Sequence, residues 1–229
     1  MKILAIDTTE QGCSAALILG DELAESFEVA ARQHSKLILP MVERLLVEAD
    51  LTLAKLDGLA FARGPGSFTG VRIAAAVTQG LAMSVDLPVV PVSSLLALAQ
   101  GVMREHREEK VLAAFDARMG ELYWAACEAV DGQMRFSGPE CVSTLSEVVL
   151  PSAASAWAMA GSAVGPYGDV LAKHRGGVEM ARYPDAMVHA QDVAILAVDD
   201  FASGRGVPAE QALPVYLRDQ VAQKKAKPA

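Results

Sequence analysis

Continuous apolar runs alternate with amphipathic stretches along this chain, and the two patterns specify different elements. Ile3-Leu4-Ala5-Ile6 is apolar throughout and ends at Asp7, as expected of a strand buried on both faces. Cys13 to Leu19 forms a second run, Gly20-Asp21 supplies a turn and Leu23 to Val29 reads as a third strand. An antiparallel meander therefore opens the chain. A helix from about Ser35 to Ala49, a short strand at Leu59 to Ala62, a glycine-rich loop and a helix from about Gly70 to Val85 follow. Strand Val89 to Val92 and a helix from about Ser94 to Arg107 complete this half. The charge run His106-Arg107-Glu108-Glu109-Lys110 then marks a boundary, with one lobe at 1–107 and a smaller one at 108–229 whose last segment can pack back on the first.

The second half reopens with the same pattern. Val111 to Phe115 is apolar and stops at Asp116, a polar turn reaches Gly120, and Leu122 to Val130 returns as a strand. The first half has Asp7, Gly12 and Cys13 to Leu19 in those places, which predicts two related lobes. A strand near Trp157 to Ala160, helices near Tyr167 to Lys173 and Gln191 to Phe201, and an irregular stretch from Pro208 complete the expectation.

The helix after His34 carries more apolar surface than one core needs. Leu37, Ile38, Leu39, Met41, Val42, Leu45, Leu46 and Ala49 span an arc of about 200°, roughly twice that of a helix lying on a single core. The surplus predicts a partner interface of Leu37, Ile38, Met41, Val42, Leu45 and Leu46, in preference to a helix sandwiched inside its own lobe. Pro40 should kink it.

Arg63-Gly64-Pro65-Gly66-Ser67-Phe68-Thr69-Gly70 precedes a helix, where turn amides can face an anion. Val71-Arg72 follows in place of Lys and Ser or Thr, so the segment is not a P-loop. Two readings stand: a vestigial phosphate site of Asp7, Thr8, Thr9, Gly64, Gly66 and Gly70, or glycines that allow a tight turn and close helix packing. No helical pair or H-E-x-x-H unites His34, His106, His174 and His189. Ser67 and Ser162 lack the G-x-S-x-G frame of a hydrolase nucleophile.

Composition narrows the partners. The net charge near −8 opposes a phosphate backbone unless basic residues gather in one patch, and the compact basic cluster is Lys224, Lys225 and Lys227. Any contact with RNA is therefore expected to be indirect. Three widely spaced cysteines, Cys13, Cys127 and Cys141, fit a reducing compartment, and cytoplasm is the expectation. The stretch from Val148 to Gly168 is charge-free but rich in small residues, so no membrane role is expected.

Five segments together carry a family resemblance: Ala5-Ile6-Asp7-Thr8-Thr9, Arg32-Gln33-His34-Ser35, Arg63 to Arg72, Pro91-Val92-Ser93-Ser94 and Pro214-Val215-Tyr216-Leu217-Arg218. With them the chain resembles the TsaB family, formerly YeaZ, over nearly its full length. The resemblance implies an α/β, two-lobed duplicated fold of the actin, sugar-kinase and Hsp70 type, RNase H-like in each lobe, with mixed sheets flanked by helices. It also implies a part in making threonylcarbamoyladenosine beside the anticodon of transfer RNA, at adenosine 37, next to a catalytic sister, TsaD.

In that sister two metal-binding histidines follow the Pro-Val strand, and the matching positions here read Ser94 and Leu98. Neither side chain replaces imidazole on a transition metal. The family reading is thus a non-catalytic subunit with no cofactor of its own, binding nucleotide weakly if at all. It pairs with TsaD, or with a second copy when alone, and TsaE, an ATPase, binds the pair. A nucleotide-dependent phosphotransferase of the sugar-kinase type is the alternative that the shared fold leaves open. A metallopeptidase is disfavoured by the missing ligand pair.

Overall fold

A computed structural model describes residues 1–30, 32–149, 156–174 and 180–218, so the Lys224, Lys225 and Lys227 cluster lies outside the described residues. Strands β1 (Lys2–Asp7), β2 (Gly12–Leu19) and β3 (Glu22–Val29) form the opening meander, followed by α1 (His34–Glu48) and β4 (Gly58–Ala62). Helix α2 (Phe68–Val85), β5 (Val89–Val92) and α3 (Ser94–His106) complete the first half. The second half holds β6 (Lys110–Asp116), β7 (Glu121–Val130), β8 (Gln133–Phe136), β9 (Cys141–Thr144) and β10 (Ala158–Ala160). Helix α4 (Val164–His174), β11 (Arg182–Tyr183) and α5 (Ala190–Ala202) follow.

The internal repeat is visible in the two sheets. The first runs β3-β2-β1-β4-β5 and the second β8-β7-β6-β10-β11, with β9 added beside β7. Corresponding pairs also share their direction: β1 is antiparallel to β2 and parallel to β4, while β6 is antiparallel to β7 and parallel to β10. Each lobe is one copy of an RNase H-like unit in which a meander feeds parallel crossovers.

Period-two alternation in the strands gives each sheet two apolar faces and the molecule five layers. Leu4, Ile6, Leu17, Leu59 and Phe61 face α1 and α2 on the outside of the first sheet. Ile3, Ala5, Ile18, Val90 and Val92 face inward, into a core shared with Leu95, Leu98, Phe115, Val193 and Leu196. Leu112, Trp124, Trp157 and Met159 form a third cluster with Val164 and Leu171 of α4. The two inner helices are exchanged between halves. Helix α3, encoded before the boundary, lies on β6, β7 and β8, while α5, encoded near the end, lies on β1, β2 and β4.

The wide apolar arc of α1 has its cause here. Ile38, Met41, Val42 and Leu45 are buried in the chain's own core, and Leu37 and Leu46 are half-buried against it. The helix touches β2 and β3 on one side and α2 on another, so two internal neighbours use the arc assigned above to a partner. That assignment is corrected for the four buried residues. Leu39 and Val47 remain exposed on this helix, at 49% and 72%. Helix α1 runs unbroken through Pro40. Helix α2 is long and apolar enough to cross a membrane by length and composition, yet Val71, Ala74, Ala75 and Ala82 are buried in this chain's core.

Candidate functional site

The ends of β1 and β6, the start of α2 and the C-terminal segment converge on an open cleft of about 1000 Å³. Its walls include Glu10, Arg32, Gly66, Phe68, Arg72, Asp116, Arg118, Ser162, Tyr216 and Arg218. Two sets of bonds fix the lobes around it. Arg63, after β4, reaches Glu140 of the second lobe, which also accepts from the Ser93 hydroxyl at 2.6 Å. The C-terminal segment crosses the mouth: Val215 N–H donates to the Arg63 carbonyl at 2.9 Å, and Arg218 pairs with Glu121 and donates to the Ala117 carbonyl.

Beneath the cleft floor the Asp-Thr-Thr turn and the glycine loop are bonded to each other. The Thr8 hydroxyl donates to the Gly70 carbonyl at 2.7 Å, and Ser67 N–H donates to the Thr9 carbonyl at 2.7 Å. Asp7 Oδ1 accepts from the Thr9 amide at 3.1 Å and its hydroxyl at 2.6 Å. Asp7, Thr8 and Thr9 are fully buried. A Cβ on Gly66 would lie 2.5 Å from the Thr9 carbonyl oxygen, and one on Gly70 2.0 Å from that of Thr8. Close packing of backbone on backbone is therefore what Gly66 and Gly70 provide, while Gly64 adopts a φ of 102° before a cis Pro65. The six residues read as a vestigial phosphate site do not form an open cradle: their hydroxyls are committed internally.

Ser94 and Leu98 are buried at the start of α3. The Ser94 hydroxyl accepts from Gly64 N–H at 3.2 Å, and Leu98 packs in the core between the sheets. Leu98 has no atom to offer a metal, and the Ser94 hydroxyl, neutral and already accepting from Gly64 N–H, is a poor substitute for imidazole on a transition metal. Among the described residues no group of three His, Cys, Asp or Glu side chains is placed to hold an ion. His34 Nε2 lies 3.1 Å from the Gly12 carbonyl and ties α1 to β2.

Two carboxyls at the site are held away from their ordinary behaviour. Burial pushes Asp7 from 3.8 up to about 7, against the two Thr9 hydrogen bonds, and among the described residues Asp7 Oδ2 has no hydrogen-bond partner. Burial likewise pushes Glu10 to about 7, although the Ser162 hydroxyl donates to it at 3.3 Å. Between pH 4 and 7 the folded chain therefore holds protons that the unfolded chain has released, so stability falls as pH rises through that window. The Asp7 shift corresponds to at most about 4 kcal/mol at pH 8. Asp7→Asn keeps an oxygen for Thr9 and removes the buried charge. It should raise stability by about 2 kcal/mol at pH 8 and change little at pH 4. Urea unfolding at the two pH values checks this; equal effects at both would contradict it.

The sequence did not single out Glu10, Arg72, Arg118, Tyr216 or Arg218 as a common site, because they come from four separate segments. Asp116 was visible as the repeat of Asp7, and Tyr216 and Arg218 only as part of a motif.

Fold and cleft together define a duplicated, two-lobed α/β protein of the actin and RNase H-like class. A family model described as TsaD, tRNA N6-adenosine threonylcarbamoyltransferase, matches residues 26–225. The tRNA threonylcarbamoyladenosine biosynthesis protein TsaB of Escherichia coli is 40% identical over 230 residues, covering 98% of each chain. Its namesake in Haemophilus influenzae is 37% identical over 238 residues, covering 98% of this chain and 97% of the relative. The solved structure of YeaZ from Pseudomonas aeruginosa superposes with a TM-score of 0.87 at 43% identity, covering 94% of this chain and 99% of that one. The chain belongs to the TsaB (YeaZ) family, a branch of the wider TsaD group.

Proposed function

We propose that this chain is a cytoplasmic, non-catalytic scaffold subunit of the machinery that forms threonylcarbamoyladenosine at adenosine 37 of transfer RNA. In this reading it binds and supports a TsaD threonylcarbamoyltransferase, and TsaE, which uses ATP, joins the pair. The reading is carried by Ser94 and Leu98, which are buried and tied into the fold, and which the family resemblance matches to the ion ligands of the sister enzyme. The internally bonded hydroxyls of Thr8 and Thr9 likewise weigh against a phosphotransferase of its own. Support would come through preorganisation of the partner.

A docking face fits this role. Helices α1 and α2 lie side by side on the outer face of the first sheet. Leu39 and Val47 on α1, and Ala76, Gly80 and Met83 on α2, stay exposed. Position 80 has open space above it, so another helix can approach closely. The same face serves a second copy when the chain is alone.

Leu39→Glu and Met83→Glu should leave the fold intact, since both side chains are exposed, and should weaken association with TsaD by about five- to a hundredfold. A carboxylate stranded in an apolar contact costs about 1–3 kcal/mol. Co-elution with TsaD is the readout. Undiminished complex formation by both folded variants would place the contact elsewhere.

A further inference from the structure

The acidic balance of the whole chain conceals a local cluster of the opposite sign. Against a net charge near −8, the cleft gathers Arg32, Arg72, Arg118 and Arg218, facing only Glu10 and Asp116 among its lining acids. Two of these guanidiniums are not neutralised: among the described residues neither Arg32 nor Arg72 has a carboxylate partner. Arg118 is 86% exposed, at 3.6 Å from Asp116. Its turn is fixed, because Asp116 Oδ1 accepts from Arg118 N–H at 2.8 Å and both Arg118 and Met119 adopt left-handed φ, 65° and 58°. Such conformations cost energy and persist where the surroundings impose them.

Beside these charges stand two solvent-exposed rings. Phe68 opens α2 and is 63% exposed; Tyr216 lies in the C-terminal segment and is 48% exposed. Their centroids are 6.4 Å apart, and the Arg72 guanidinium sits 3.3 Å from the Phe68 centroid and 5.0 Å from that of Tyr216. Exposed aromatic rings interleaved with arginines, two of them without a carboxylate partner among the described residues, form a platform on which unpaired bases stack while phosphates are held by charge. A helix face of a protein partner would use the rings but would not need the uncompensated charge.

We propose that this cleft mouth contacts single-stranded RNA directly, with a base stacked on the Phe68 and Tyr216 pair and flanking phosphates on Arg32, Arg72 and Arg118. The proposal rests on the reading of the chain as part of an RNA-modifying assembly and replaces the indirect contact expected from net charge. Net charge fails here because screening confines its effect to about 10 Å, so the local cluster decides.

Fluorescence anisotropy of the full chain with a labelled adenylate decamer, at about 0.1 M salt, where that screening holds, tests it. Wild type should bind, with unmodified transfer RNA competing and free ATP competing far more weakly. Phe68→Ala and Tyr216→Ala should each weaken binding about tenfold, the loss of one stacked base. Arg72→Ala should weaken it too and reduce the slope of log affinity against log salt by about one. Arg135→Ala, whose guanidinium pairs with Asp199 away from the cleft, should change nothing. No binding by wild type at high micromolar concentration overturns the proposal. So does equal competition by ATP, which makes this a free-nucleotide site, or loss of TsaD co-elution in the ring variants with RNA binding retained, which makes it a protein contact. A chain that co-elutes with TsaD and supports modification but binds no RNA overturns this contact alone and leaves the scaffold reading intact.

Discussion

Gly70→Ala is expected to lower the thermal midpoint by about 9 °C, the equivalent of about 3 kcal/mol in a chain of this size. The added Cβ would sit 2.0 Å from the Thr8 carbonyl oxygen and 3.1 Å from its carbonyl carbon. Those atoms are backbone, so no rotamer change relieves the overlap. The first turn of α2 must lift away from the end of β1, breaking the bond from the Thr8 hydroxyl to the Gly70 carbonyl. Gly80→Ala is the matched control, because nothing lies within 4 Å of its Cβ position. There the same methyl should stabilise by up to about 1 kcal/mol through helix propensity. Differential scanning calorimetry of both variants decides; a Gly70→Ala midpoint within two degrees of wild type, a margin of about 0.5–1 kcal/mol, would show that the loop does not press on the strand end as described.

Asp192→Ala is expected to cost about 3 kcal/mol, the lower end for breaking a buried ion pair. Asp192 is fully buried in the first turn of α5 and holds Arg104 of α3 through two hydrogen bonds, at 3.0 and 2.9 Å. Burial raises its pKa and the arginine pulls the other way without winning. The figure stays at the low end because the Arg104 side chain is 30% exposed and can recover some water when its partner leaves. The same end of α5 is fastened to the first sheet: Glu25 accepts from Gln191 N–H at 3.1 Å and pairs with His189 at 2.8 Å. Asp192→Asn, which keeps an acceptor for Arg104, should lose roughly half as much. Chemical unfolding midpoints with an unchanged denaturant slope provide the comparison, and a loss below about 1 kcal/mol for Asp192→Ala would show that the pair contributes no more than an exposed one.

The parts of this fold written plainly in the sequence are those with strong periodicity. Strands β1, β2, β4, β6 and β7 are apolar runs bounded by Asp or Gly, and α2, α3 and α5 follow the helical repeat, so their positions emerge within a few residues. The repeat of the strand, Asp and Gly pattern at Asp7 and Asp116 likewise anticipates two sheets of one topology. Strands β8, β9 and β11 escaped because Gln133–Phe136, Cys141–Thr144 and Arg182–Tyr183 are short, mostly polar and only partly buried. The apolar arc of α1 was legible as an arc, but periodicity carries no information on which neighbour fills it; β2, β3 and α2 do. The cleft was least legible. Phe68 and Tyr216 meet through folding alone, and Arg32, Arg72 and Arg118 share a wall without sharing a local pattern.

The exchange of α3 and α5 between the halves reaches into how the molecule is made. As the chain leaves the ribosome, β1 to β5 emerge with Ile3, Ala5, Ile18, Val90 and Val92 on a face whose main cover, α5, follows about 100 residues downstream. At ordinary translation speed that surface waits about 5 to 20 seconds for its lid, open to chaperones or to other nascent chains. A messenger truncated before Ala190 would yield not a smaller working lobe but an adhesive fragment, and a separately supplied α5 peptide would be its natural antidote.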